Sequence, residues 1–112
     1  MSEKYEMIFF ILNKGHVDEA MAAAREVGAT GGTIITGRGA ASDDIVKQLG
    51  IAVKQEKELL LILSTSEKRT AIMSAISKVA GLNKPGCGIG FSIPVEDVTG
   101  ISGPRQDQDE NE

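Results

Sequence analysis

Two unbroken apolar runs constrain the fold of this chain more than any other feature. One covers residues 7–12, with the sequence MIFFIL, and the other covers residues 59–63, with the sequence LLLIL. A strand with one face in water alternates apolar and polar side chains, whereas a strand covered on both faces is apolar throughout. The two runs therefore predict two strands that avoid water on both faces of their sheet.

Between the predicted strands, apolar residues recur at the spacing of a helix. A first helix is predicted from Val17 to a stop at Gly28, and a second from an N-cap at Ser66 to a stop at Gly81. The strands are predicted over residues 5–12, 33–36 and 58–63 and in the apolar part of 86–97. This β-α-β-β-α-β order is typical of the α+β ferredoxin-like sandwich, in which two helices cover one face of a four-stranded antiparallel sheet.

The uncovered sheet face predicts self-association. Two helices can cover only one face, yet the two apolar runs have no polar face to leave in water. Residues 1–101 form the one predicted domain, and residues 102–112 carry no apolar side chain other than a single proline, so no other part of the chain is available as cover. We therefore predict a homo-oligomer.

Composition excludes several classes of function. The net charge is −4 and aromatic residues make up 4% of the chain, which argues against nucleic-acid binding. Residues 102–112 hold four carboxylates against Arg105, so we predict an acidic disordered tail. No apolar run approaches the length of a membrane span, and the opening Ser2-Glu3-Lys4 is not typical of a secretory signal. We expect a cytoplasmic protein that does not insert into membranes.

Catalytic and metal-binding patterns are weak. Cys87 and His16 are the single cysteine and the single histidine, so no disulfide and no Cys/His zinc cluster is predicted. Adjacent Glu96 and Asp97 on an extended strand point to opposite faces, which does not suit paired acid–base work. We predict no catalytic residue, no metal site and no enzymatic activity.

Several short segments, in order, resemble the P-II signal-transduction proteins over about residues 4–101. They are Thr30-Gly31-Gly32-Thr33-Ile34, Gly39, Gly86-Cys87-Gly88 and Pro94-Val95-Glu96-Asp97-Val98. The resemblance implies a homotrimer that binds adenine nucleotides between subunits and regulates a protein partner, such as a membrane transporter. Residues 86–88 correspond to the family's B-loop and residues 40–54 to a shortened T-loop, the segment that rearranges on signalling.

The resemblance also nominates binding residues. Backbone amides of the glycine-rich segment would face phosphates, as in other anion-binding nests. Arg38 is the nearest cation to the matched Gly39, although it can equally be a solvated arginine at a strand end. The candidate nucleotide-binding residues are Thr33, Arg38, Gly39, Gly86, Cys87 and Gly88. We expect substitution of Gly88 by valine to block a phosphate while leaving the fold intact.

The departures from the family pattern bear on the ligand. Ile89 stands where a B-loop lysine is expected, and residues 99–102 (TGIS) stand where the family has two arginines. The glutamine expected after Gly39 is missing, and residues 40–54 contain no tyrosine, which excludes uridylylation there. Loss of these cations should weaken binding of the outer phosphates unless Arg38, Lys54 or Arg105 substitutes for them. The implied function is energy sensing in which AMP or ADP binds at least as tightly as ATP, without 2-oxoglutarate.

Two other functions fit the same fold. One is a small phosphohydrolase of the acylphosphatase type, for which Arg38 and Asn83 would have to converge on one phosphate. The other is a metal-binding trimer of the CutA type, which the single histidine and cysteine disfavour.

Overall fold

The computed structural model describes residues 4–40, 55–84 and 86–100. Strands β1 (Tyr5–Asn13), β2 (Thr33–Gly39), β3 (Gln55–Thr65) and β4 (Gly88–Val95) are interleaved with two helices, α1 (Val17–Glu26) and α2 (Ser66–Ala80). This order confirms the predicted ferredoxin-like arrangement. Most of the predicted T-loop segment, residues 41–54, and the predicted tail, residues 102–112, lie outside the described residues.

The four strands form one antiparallel sheet in the order β2-β3-β1-β4. The central strand β1 pairs with β3 on one side and β4 on the other, so that Phe9 lies opposite both Leu61 and Phe91. Strand β2 pairs with the outer side of β3, with Thr33 opposite Leu61. The strands with the longest apolar runs are therefore the two inner strands of the sheet.

Alternate residues of the inner strands form the core. Ile8, Phe10 and Leu12 of β1 are buried, as are Leu60 and Ile62 of β3. The helices pack against each other and on this face, to which they contribute these buried residues: Val17, Ala20, Met21, Ala24, Ile72 and Ile76. Because all the buried strand residues share one face, both helices cover that face, as predicted.

The opposite face of the sheet, which we call the open face, carries apolar side chains on every strand. Phe9 and Phe91 stack there with ring centroids 5.1 Å apart. Ile35, Ile89, Phe91 and Ile93 are between 42% and 57% exposed in the single chain. The cross-strand register adds half-buried neighbours on the same face: Met7, Ile11, Leu59, Leu61 and Leu63.

Some element boundaries differ from the predicted ones. Strand β2 continues through Gly37, Arg38 and Gly39, because these residues pair in register with the start of β3. Strand β3 is likewise longer at both ends than its apolar run. The N-cap of α2 is Thr65, one residue before the predicted Ser66, and the helix itself begins at Ser66. The Thr65 side chain forms no capping hydrogen bond. Gly81 ends α2 with a φ of 68°, as predicted from its lack of a side chain.

Neither described helix combines the length and apolarity that a membrane crossing requires. The longer one, α2, has 15 residues and buries only Ile72 and Ile76 fully.

Substitution of Ile76 by alanine tests the packing of α2 on the sheet. Ile76 is fully buried, so its truncation should lower the free energy of unfolding by about 2–5 kcal/mol. Val79 lies one turn later and is 38% exposed, so Val79→Ala is the matched control and should cost much less. Urea denaturation measures both, and equal losses would contradict the orientation of α2.

Candidate functional site

Strand ends and the glycine-rich loop meet at one end of the sheet. There, Gly37 of β2 lies opposite Lys57 of β3, and Lys57 lies opposite Asn13 of β1. Beyond β1, the glycine-rich loop leads into β4, whose first residue, Gly88, pairs with Leu12. We call this row of Gly37, Lys57, Asn13 and Gly86 the rim.

The candidate residues from the sequence fall into two groups on the rim's opposite edges. Arg38 and Gly39 lie at the end of edge strand β2, whereas Gly86–Gly88 lie beside edge strand β4. Strands β3 and β1 separate the groups, which places them three strand spacings, or roughly 14 Å, apart. One chain therefore brings them to the same end of the sheet but not into contact.

Thr33 lies away from both groups. It is the first residue of β2 and pairs with Leu61 near the middle of the sheet, whereas Gly39 pairs with Gln55 at the rim. The resemblance nominated Thr33, but the structure places it at the far end of the strand.

An open cavity of about 510 Å³ lies at the β2 side of the rim. Apart from Gly37, the residues that line it have polar or charged side chains: Lys14, Thr36, Arg38, Glu56, Lys57 and Glu58. Of its charged side chains, Lys14, Arg38, Glu56 and Glu58 lie on the helix-covered side, where two cations balance two carboxylates, whereas Lys57 has its side chain on the open face.

Lys14 and Glu56 neutralise each other at the cavity. The Lys14 ammonium lies 3.0 Å from a Glu56 carboxylate oxygen, and both side chains are more than half exposed. The hydrogen bond to Glu56, and next the charge of that carboxylate, raise the pKa of Lys14 above its ordinary value. Lys14 therefore stays protonated and paired.

Asn13 links β3 to the glycine-rich loop. Its side-chain oxygen accepts a hydrogen bond of 2.6 Å from the Lys57 ammonium. Its side-chain nitrogen donates a hydrogen bond of 3.0 Å to the Gly86 carbonyl oxygen. Both ends of one amide are thus used, and the amide joins three segments that are remote in sequence.

The glycine-rich loop alternates the sign of its backbone φ angles. Gly86 has a φ of 82° and Gly88 a φ of 140°, while within residues 4–40, 55–84 and 86–100 every positive φ belongs to a glycine. This alternation is typical of the concave nests whose amides bind anions. The amide of Cys87 already donates to the Lys84 carbonyl oxygen at 3.4 Å, so the loop is partly bonded within itself.

Packing against β1 accounts for two of the glycines. A Cβ on Gly88 would lie 2.6 Å from the Ile11 carbonyl oxygen, and a Cβ on Gly90 would overlap the Phe10 ring. The expectation that Gly88→Val leaves the fold intact is therefore wrong, because the valine would collide with the β1 backbone. Gly86 differs, since no atom lies within 4 Å of the position of its Cβ.

The residue groups that metal binding or phosphate hydrolysis would require do not come together in the described residues. His16 contacts only Glu19 among the acidic groups, at 3.5 Å, and the described chain contains no group of three residues suited to hold a metal ion. Asn83 lies in the turn before β4 and does not line the cavity that contains Arg38. Cys87 is half-buried in its loop. The pair that a phosphohydrolase of the acylphosphatase type would need is thus not formed.

Sequence reasoning missed Asn13 and Lys57. Each is an ordinary polar residue at the end of an apolar run, and 44 positions separate them in the chain. Only the β1–β3 register makes them neighbours, so no local motif could have identified them.

The fold and rim define a ferredoxin-like domain with a polar site at one end of its sheet. No protein-family model and no curated protein sequence matches the chain. Among solved structures, the chain is similar to that in the crystal structure of Arabidopsis thaliana PII bound to citrate. The TM-score is 0.69, the sequence identity is 20%, and the match covers 94% of each chain. This similarity shows that the chain has the fold of PII.

Substitution of Gly88 by alanine tests the close packing of β4 on β1. A positive φ disfavours any L-residue by about 1–2 kcal/mol, and overpacking adds about 1–3 kcal/mol. Gly15 has a φ of 101° and an open Cβ position, so Gly15→Ala is the control for backbone strain without the contact. We expect urea denaturation to show a distinctly larger loss for Gly88→Ala, and equal losses would refute the contact with Ile11.

Proposed function

We propose that this chain is a P-II-type regulatory protein that binds adenine nucleotides and acts by binding, not by catalysis. The observation that carries the proposal is the division of the candidate residues between opposite edges at one end of a single sheet. Arg38 and Gly39 on one edge and the glycine-rich loop on the other can form a complete site where two copies meet. The shared fold with PII supports the same proposal.

The proposed assembly is a homotrimer in the cytoplasm. The open face leaves large apolar side chains such as Phe91 and Ile89 substantially exposed in the single chain. Contiguous exposed apolar surface of this kind typically marks an interface. Burying it between copies also brings the edges of neighbouring sheets together, as the divided nucleotide site requires.

Signalling is proposed to run through residues 40–54. This segment joins the ends of β2 and β3, where Gly39 pairs with Gln55 and the neighbouring Arg38 lines the cavity. A nucleotide at the rim would therefore lie beside both ends of the segment. The proposed readout is the segment's interaction with a protein partner such as a membrane transporter.

Titration calorimetry with AMP, ADP and ATP tests the nucleotide site. We expect AMP or ADP to bind at least as tightly as ATP, because the family's cations are replaced by residues such as Ile89 and Gly100. Neither magnesium nor 2-oxoglutarate should be required. Citrate, which the Arabidopsis PII protein holds in its crystal, is a second anion to include as a competitor.

Two results would count against this nucleotide preference or against the function. ATP binding far more tightly, and only with magnesium and 2-oxoglutarate, would show that the outer phosphates are held after all. Absence of binding by any adenine nucleotide would remove the proposed function and leave the fold. Hydrolysis of an acyl phosphate by the purified protein would favour the phosphohydrolase alternative.

Ile93→Asp tests assembly through the open face. Ile93 is 47% exposed in the single chain, so an isolated domain would tolerate a charge there, whereas an interface would bury it at a cost of several kcal/mol. We expect light scattering at micromolar concentration to show a trimer for the parent chain and a smaller species for this variant.

The matched control is Ile34→Asp. Ile34 is 46% exposed, but its register with Leu60 places it on the helix-covered side of the sheet. This variant should remain trimeric. A parent chain that is monomeric at this concentration would refute the proposed assembly, and dissociation of both variants alike would refute the assignment to the open face.

A further inference from the structure

The structure explains why position 89 does not supply a phosphate-binding cation. Ile89 lies opposite Ile11 on the open face and is 57% exposed, beside the other apolar side chains of that face. Its side chain therefore belongs to the proposed assembly surface. A cation for the glycine-rich loop has to come from another element.

Lys57 is the cation that the rim places toward this loop. Its ammonium bonds to Asn13, and the same Asn13 amide bonds to the Gly86 carbonyl oxygen. One side-chain amide therefore separates the ammonium from the loop backbone. Lys57 lies on β3, between the two groups in the strand order. Its side chain is on the open face with Asn13, whereas Arg38 and its partner Glu56 point to the helix-covered face.

The charge of Lys57 is better suited to a ligand than that of Lys14. Lys14 is paired with Glu56 at 3.0 Å, whereas the hydrogen bond found for Lys57 goes to the neutral Asn13 amide. In the part of the chain that the structure describes, Lys57 forms no ion pair. An ammonium has three donors, so the bond to Asn13 leaves two for an anion.

We infer that Lys57 is the phosphate-binding cation of this site and that Asn13 is the residue that positions it against the glycine-rich loop. This inference rests on the proposed nucleotide site and names the group that holds the phosphate end of the nucleotide. The ligand chemistry is a diphosphate. The loop nest takes one phosphate group and the ammonium takes the other.

The positioning role of Asn13 follows from its geometry. The Lys57 side chain is long and loses conformational freedom when it is held, which the 2.6 Å bond to Asn13 accomplishes before a ligand arrives. The same amide fixes the Gly86 carbonyl, and with it the orientation of the following amides. Preorganisation of both partners strengthens binding without additional contacts.

Calorimetry of the full chain with two probes, ADP and inorganic pyrophosphate, at low and at raised salt tests the inference. The variants are Lys57→Gln, which removes the charge but keeps a donor for Asn13, and Lys57→Arg, which keeps the charge. Lys68→Gln is the matched control, because Lys68 is an exposed lysine in the first turn of α2, which begins at the opposite end of the sheet. Asn13→Leu removes the bridge while leaving the ammonium in place.

Lys57→Gln should weaken both probes about tenfold or more and make binding less sensitive to salt. Lys57→Arg should restore the salt sensitivity, and Lys68→Gln should stay within about twofold of the parent chain. Asn13→Leu should weaken binding but keep the steep salt dependence, because the Lys57 ammonium is still present. If Asn13 had a purely structural role, affinity and salt dependence would change together. Thermal unfolding verifies that each variant is folded.

The remaining outcomes distinguish this inference from the proposed function. Equal effects of Lys57→Gln and Lys68→Gln would overturn the role of Lys57, even if ADP binds the parent chain. Parent-level binding by Asn13→Leu would overturn the positioning role. Pyrophosphate binding that Lys57→Gln abolishes, without any nucleotide binding, would support Lys57 and refute the nucleotide function. Failure of the parent chain to bind either probe would refute both.

Discussion

The antiparallel pairing of β1 with both β3 and β4 is the constraint on which the rest of the structure depends. Its register places Phe9 between Leu61 and Phe91 on one face and Phe10 between Leu60 and Gly90 on the other. A shift of one residue would exchange the two faces of the strand. The same register also brings the polar ends of β1 and β3 into one row, so the core and the rim are set by one pairing.

The order of elements was predictable because it depends on local patterns. The apolar runs, the helical spacing and stops such as Gly81 each act within about ten residues. The lengths of β2 and β3 were not predictable, since Arg38 and Glu56 are in strands only because they pair with each other. Tertiary pairing there overrides weak local strand preference.

The candidate site was predictable in part, and for a related reason. The glycine-rich loop is a contiguous segment, so its sequence marks it, although Gly88 is required by contact with β1 and not only by a ligand. Asn13 and Lys57 become a pair only through the register of two strands remote in sequence. A motif search reads contiguous residues, whereas this part of the rim exists only in the folded sheet.

Strand β4 connects the proposed site to the proposed assembly. Its helix-side positions include Gly88 and Gly90, where β1 leaves no room for side chains, whereas its open-face positions carry Ile89, Phe91 and Ile93. The strand thus directs its apolar side chains to the face that the helices do not cover, and its first residues form the glycine-rich loop. A ligand that orders this loop would act on the strand that, in the proposed assembly, contacts the neighbouring copy. Linkage then requires that assembly strengthen ligand binding by the same factor by which the ligand strengthens assembly.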